Sequence, residues 1–367
     1  MMTDRDERSA PPIKICYGTL PSMLKKFDRY ARKDAFQGHT AEEFEAWRQE
    51  MRALLKGLLG WEKMETCPLE PVTEDMVLLY NGDIRREHIR IQVEPEVWMP
   101  MYLLIPAKAG PKTPVILCPP GHNGAGKYTV AGYEGCEAVT EKIRHYHYDY
   151  GLQAAKLGYV AVCPDCRGFG ERRERLSDAW SPDTAMGGDC YWLAHMGEPL
   201  GIPVAGMLTW DLTRALDHLT ERGNWDTEHI GWLGFSGGGM QTLWLTALDD
   251  RVSWAGISGY LYGYRDALLI ENRNCSCNYV PHLWEHLDMG DIASLIAPRP
   301  LWIQSCRDDR LNGPRGIVNA VEQVDIVRAA YDLFAAGDRL EHEICGGPHQ
   351  WHGEHLGPFL NGFLKFR

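Results

Sequence analysis

Apolar positions along this chain switch between two rhythms. Phe44, Trp47, Met51, Leu54, Leu55 and Leu58 recur at helical spacing, directly after Thr40-Ala41-Glu42-Glu43. That segment is a capping box, in which Thr and Glu satisfy free backbone N–H groups at a helix start. Gly60 is a suitable stop. The pattern predicts one amphipathic helix in an N-terminal helical extension, residues 1–75. Its apolar stripe must dock on something, most simply the main domain; a contact between copies in a homo-oligomer is the alternative.

From about residue 76 to 367 the rhythm changes. Ile84 to Val93 and Val97 to Ile105 read as two strands joined by a turn near Glu94-Pro95-Glu96. Short apolar runs then alternate with helical patterns. Val115–Cys118, Tyr159–Cys163, Ile230–Phe235, Trp254–Ile257, Leu301–Ile303 and Leu340–Cys345 read as strands. Helices are predicted over Tyr150–Leu157, around Leu208 to Leu219, after Phe235, and from Ile317 to near Gly337. Strands alternating with helices imply a mostly parallel sheet covered on both faces. The leading antiparallel pair gives it a mixed edge. The stretch from about 171 to 204 lacks clean periodicity and is long for a connection, so it is expected to form a cap insertion.

Charge narrows the partners. The 367 residues carry a net charge of −12 at pH 7. Phosphate binding needs a clustered basic surface, so nucleic acid is excluded as a partner. No apolar stretch is long enough to span a bilayer, and the polar start Met1 to Pro12 lacks the apolar run of a secretory signal. A cytoplasmic protein without a membrane partner is expected. The 11 cysteines are scattered. Cys163-Pro164-Asp165-Cys166 has redox spacing, and Cys275-Ser276-Cys277 has neither redox nor zinc-finger spacing. With no second CxxC, reduced structural thiols are expected and no metal.

The chemistry gathers at Gly234-Phe235-Ser236-Gly237-Gly238. Gly-x-Ser-x-Gly alone is a weak signal, but here an apolar strand leads in and a helical pattern leads out. That is the setting of a nucleophile elbow. Small residues permit the tight turn, and the N-terminus of the following helix favours negative charge at Ser236. A hydroxyl needs a base to take its proton. Acid and then histidine should follow on loops after later strands. Cys306-Arg307-Asp308-Asp309 follows one strand and offers two aspartates. Gly347-Pro348-His349 follows the last strand, with His349 nearest its end; surface or structural roles suit His352 and His355 better. The oxyanion hole needs two backbone N–H groups. Gly237 offers one; the loop Pro119-Pro120-Gly121-His122-Asn123-Gly124 offers the other, from His122 first and Asn123 second.

One motif competes. Gly121 to Lys127 nearly matches the phosphate-binding G-x-x-x-x-G-K-[ST] loop, but Tyr128 stands where a hydroxyl should hold magnesium, and no helix is expected to start there. A nucleotide binder using this loop remains an alternative, as does an inactive binding protein on the same fold.

Four segments carry a family resemblance: Pro119-Pro120-Gly121-His122, Asp165 to Arg172, Gly234 to Gly239, and Ile296-Ala297-Pro298-Arg299-Pro300-Leu301. Over about residues 76–367 the chain resembles the dienelactone-hydrolase-like and acetyl-xylan-esterase-like branch of the α/β-hydrolase superfamily. The resemblance implies an α/β-hydrolase fold and a serine esterase without cofactor. Its substrate would be a small-molecule or carbohydrate ester, including acetylated or uronate-linked sugars. In that family the acid ends a Gly-x-x-Asp turn. Counting from Cys306, which replaces the glycine, implies Asp309 and leaves Asp308 open. The family's Gly-x-His falls on His349. The expected catalytic set is Ser236, Asp309 and His349, with Gly237 and His122 at the oxyanion. The aromatics Trp180, Tyr191, Trp192, Tyr260 and Tyr262 would either stack on sugar rings or pack a cap onto the core.

Overall fold

The computed structural model describes residues 17–174 and 186–363. Among these residues nine strands form one sheet: β1 (Val72–Leu79), β2 (Ile84–Glu94), β3 (Val97–Pro106), β4 (Pro114–Leu117), β5 (Val160–Pro164), β6 (Asp226–Phe235), β7 (Trp254–Ser258), β8 (Leu301–Cys306) and β9 (Leu340–Cys345). Their order is β1-β2-β3-β5-β4-β6-β7-β8-β9. The first three strands pair antiparallel, β3 meets β5 antiparallel, and every later pairing is parallel. The sheet is therefore mixed at one edge and parallel elsewhere, as the alternating pattern predicts.

Side chains alternate between two apolar layers, as the strand period of two demands. Val115, Leu117, Val160, Val162, Trp232, Ala255 and Ile303 enter one core; Ile116, Ala161, Leu233, Trp254 and Trp302 enter the other. The helices Ala41–Leu58, Val204–Arg222, Gly237–Leu248 and Ile317–Leu333 contribute to the first layer. The helices Glu137–Tyr146, Tyr150–Lys156 and Leu356–Phe363 contribute to the second.

The helix Ala41–Leu58 begins with the expected capping box, Thr40 with Glu43. It docks on the main domain: Phe44, Met51 and Leu55 are buried in the first core, and Phe44 meets Phe334 edge to face. Arg52 reaches Ala247 O at 2.7 Å and forms a two-point pair with Asp250. Several elements escape the sequence pattern, among them the helices Glu137–Tyr146, Met289–Ser294 and Leu356–Phe363. A helix spans Leu20–Tyr30, β1 starts at Val72 rather than after residue 76, and one helical turn spans Lys127–Val130, where no helix is expected. β1 is an exposed edge with little apolar alternation to betray it. Of the expected cap, the described part holds a short helix at Cys190–Gly197; Trp180 lies outside the described residues.

Candidate active site

Ser236 sits between β6 and the helix Gly237–Leu248, with φ 58° and ψ −122°. A non-glycine residue there is strained, and such strain concentrates at functional turns. The turn is held by its backbone: Ser236 N–H donates to Ser258 O at 2.9 Å, and Ser236 O accepts from Met240 N at 3.0 Å. Gly234 is required by space, since a Cβ there would lie 2.6 Å from Thr242 Oγ1. Gly237 N–H opens the helix, so no carbonyl within the helix can accept from it.

β8 and β9 place the next two groups. Asp309 follows β8 with its side chain 1% exposed, and its Oδ2 lies 2.5 Å from His349 Nδ1. Its Oδ1 accepts from Leu311 N at 2.8 Å, which fixes the carboxylate from the other side. Asp308 is exposed, and its backbone N–H bonds Gly347 O at 3.0 Å. The structure thus brings Asp309, not its neighbour, to His349. The imidazole lies 4.5 Å from the Phe235 ring. A Cβ on Gly259, just past β7, would come within 2.9 Å of His349 Cε1. His349 Nε2 is buried and has no hydrogen-bond partner among the described residues. Gln304 anchors this loop, donating to Gln350 O at 3.0 Å and accepting from His352 N at 3.1 Å. His355 faces Glu341 at 3.4 Å, away from the pair.

The loop after β4 lies against the elbow. Tyr148 Oη donates to His122 O at 2.6 Å, Tyr150 Oη donates to Pro119 O, and Gln241 Nε2 donates to Pro120 O at 2.8 Å. A Cβ on Gly121 would lie 3.1 Å from Gly237 N, and one on Gly237 would lie 2.6 Å from His122 Nδ1. The His122 segment and the Gly237 N–H are therefore neighbours across one small gap.

Lys127 ends this loop. Its ammonium is fully buried, 2.8 Å from Asp165 Oδ2 and bonded to Glu171. Burial alone would lower its pKa, but the two carboxylates outweigh that and raise it. Burial pushes Glu171 up, while His88 and Lys127 pull it further down, to about 2. A lysine closed in by two carboxylates has no face for a nucleotide phosphate. The phosphate-loop likeness is therefore a structural brace. The other resembling segments brace too. Arg167 and Arg172 grip buried Asp211. Arg299 donates to Asp249 O, Val252 O and Thr246 O, capping the helix that starts at Gly237.

One group of side chains was not foreseen. His122 Nε2 lies 3.6 Å from Cys190 Sγ and 3.4 Å from Cys277 Sγ, and Cys275 completes a set whose ligand atoms all lie within 4.8 Å of one another. The CxC pair is visible in sequence, but its partners lie 85 and more residues away, Cys190 at a helix start and His122 in a loop. Tyr260 and Tyr262 are buried and pack at 5.3 Å, so they belong to the core rather than to an open sugar platform. Tyr191 and Trp192 are exposed. No helix among the described residues is long and apolar enough to cross a membrane.

The sequence model of the "Abhydrolase family" matches residues 3–344. The Bacillus subtilis (strain 168) protein named "Putative hydrolase YtaP" is 28% identical over 238 residues, which cover 63% of this chain and 72% of that one. Among solved structures, a "putative acetyl xylan esterase" from Bacteroides fragilis NCTC 9343 aligns with a TM-score of 0.73 at 19% identity, over 92% of this chain and 84% of its own. A "Glucuronoyl Esterase" from Solibacter usitatus aligns with a TM-score of 0.62 at 16% identity, over 90% of this chain and 95% of its own. At such identities the structural likeness speaks for the fold. The family match spans nearly the whole chain, N-terminal extension included, and so the chain belongs to the Abhydrolase family and has the α/β-hydrolase fold.

Proposed function

We propose that this chain is a serine-dependent carboxylic ester hydrolase that works through an acyl-enzyme. The observation that carries the reading is the 2.5 Å contact between His349 and buried Asp309, set beside the strained turn at Ser236. Ser236 Oγ attacks the ester carbonyl while His349 Nε2 takes its proton. Asp309 holds Nδ1–H and stabilises the imidazolium that forms. The N–H groups of Gly237 and His122 receive the charge of the tetrahedral oxygen. His349 then protonates the leaving alcohol. Water, activated by the same base, releases the acid and restores Ser236.

His349 Nε2 and Ser236 Oγ are not hydrogen-bonded to each other here. Such bonds tighten when substrate fills the site. The loop carrying His122 is pinned by Tyr148, Tyr150 and Gln241, so the oxyanion site needs little reorganisation during reaction. The names of the structural neighbours, an acetyl xylan esterase and a glucuronoyl esterase, support an acetylated or uronate-linked carbohydrate as the ester.

A fluorophosphonate probe tests this reading. Mass spectrometry should find the adduct on Ser236, and acetylated xylo-oligosaccharides and methyl glucuronate esters should be hydrolysed. Folded protein that takes no label and cleaves no ester would be an inactive binding protein on this fold.

A further inference from the structure

Beside the elbow, three thiols and one imidazole converge from three separate segments. His122 comes from the loop after β4, Cys190 from the start of the helix Cys190–Gly197, and Cys275 and Cys277 from the turn before Asn278. Cys190 and Cys277 are 0% and 1% exposed, and Cys275 is less buried. We propose that His122 Nε2 and the sulfurs of Cys190, Cys275 and Cys277 bind one zinc ion.

The distances suit that ion. With Zn–S near 2.3 Å and Zn–N near 2.0 Å, tetrahedral geometry puts nitrogen and sulfur about 3.6 Å apart. Here Nε2 lies 3.4 and 3.6 Å from two of the sulfurs. Thiolate and imidazole are the donors that select zinc over calcium or magnesium, which require oxygen. Four protein ligands fill a tetrahedron and leave no open position for water, so the ion is structural. Asn278 supports the set from outside: its Nδ2 donates to Cys277 Sγ at 3.6 Å and to Cys275 O at 3.0 Å. Packing of reduced apolar thiols explains a buried cysteine such as Cys118. It does not explain why a ring nitrogen is aimed at three sulfurs.

The site has a mechanical consequence. The ion ties the loop bearing His122 to the cap helix and to the 275–278 turn. The other edge of the same ring rests on Gly237, where even a Cβ would meet Nδ1 at 2.6 Å. Zinc thereby fixes the His122 ring against Gly237, the residue that follows Ser236.

The test is metal analysis of the full chain, purified under reducing conditions without chelator or a metal-affinity step. One zinc per chain is expected. Exchange for cobalt should give the visible bands of a tetrahedral site with thiolate-to-metal charge transfer. Cys277→Ser and Cys275→Ala should lose the metal or weaken its retention, whereas Cys67→Ser should keep it. Chelation should lower the melting temperature of the wild type. Folded wild-type protein that holds far less than one zinc, and takes none up when zinc is added to the reduced chain, overturns the proposal. So does a disulfide within the set that persists in the chain as purified under reducing conditions. The proposal stands apart from the ester reading: zinc without a Ser236 adduct would remove the esterase and leave the metal site.

Discussion

Two histidines flank the elbow at Ser236, and their neighbours differ completely. His349 turns Nδ1 to a buried carboxylate and leaves Nε2 without a partner among the described residues. His122 turns Nε2 to sulfur, with Cys190 and Cys277 in reach. A carboxylate on one nitrogen fixes the tautomer and makes the other nitrogen a base. Three sulfurs around a nitrogen make it a ligand in the proposed zinc site. A third histidine, His218, has neither: it is buried in the helix Val204–Arg222, its Nε2 has no partner among the described residues, and burial lowers its pKa to about 4. In the proposed roles the same side chain is base, ligand or buried neutral group according to the atoms the fold sets against it.

Substitutions at these rings break or sharpen the contrast. The largest effect is expected from His349→Ala, which should cut kcat by about 10⁵-fold or more, as losing the base does in serine hydrolases. The folded protein should keep the proposed zinc. If the two rings had traded roles, metal would be lost instead, and inductively coupled plasma analysis of the variant reads that directly.

Asp309→Asn should come next. The amide would hold the wrong tautomer of His349, with a loss in kcat of about 10⁴-fold. Asp308→Asn should stay within a few-fold of wild type, because that side chain is exposed and away from the ring. Ester-hydrolysis rates for the pair separate the two adjacent aspartates.

Gly237→Ala joins both histidines in one change. The added Cβ would press on His122 Nδ1, so it should shift the oxyanion donors and strain the sulfur site together. A fall in kcat of about 10²-fold is expected, the size seen when one oxyanion donor is lost, along with easier removal of zinc by chelator. Lost turnover with unchanged metal retention would show the two sites to be uncoupled.

The smallest effect concerns stability and pH. His218 titrates at about 4 when folded and at 6.5 when unfolded. The unfolded chain therefore binds more protons between those values, so its contribution is complete above pH 6.5 and is lost as pH falls toward 4. His342, lowered to about 4 by burial, acts in the same direction. Melting temperature should drop between pH 7 and pH 5, and His218→Gln should make that drop shallower.

Much of this was legible along the chain because it depends on near neighbours. Strand and helix rhythm, the capping box at Thr40, the small residues about Ser236, and the chain order of serine, acid and histidine are local or ordinal properties, and the sheet and elbow follow from them. Edge strand β1 and the helix Leu20–Tyr30 were not legible: the strand is exposed on nearly every residue and the helix buries none, so neither carries a clear burial rhythm. Tertiary structure alone decided which aspartate meets His349. Both lie in the same loop after β8, and only its path turns one inward. It also decided that Lys127 is enclosed by Asp165 and Glu171 rather than free for phosphate. The sulfur set is the clearest case. Spacing rules detect ligands that share a loop, whereas His122, Cys190 and Cys275 are brought together only when the sheet aligns the loops that carry them. The sequence determined most of the elements and the tight turn that carries the proposed nucleophile Ser236; the close packing of distant loops decided which atoms face each histidine beside it.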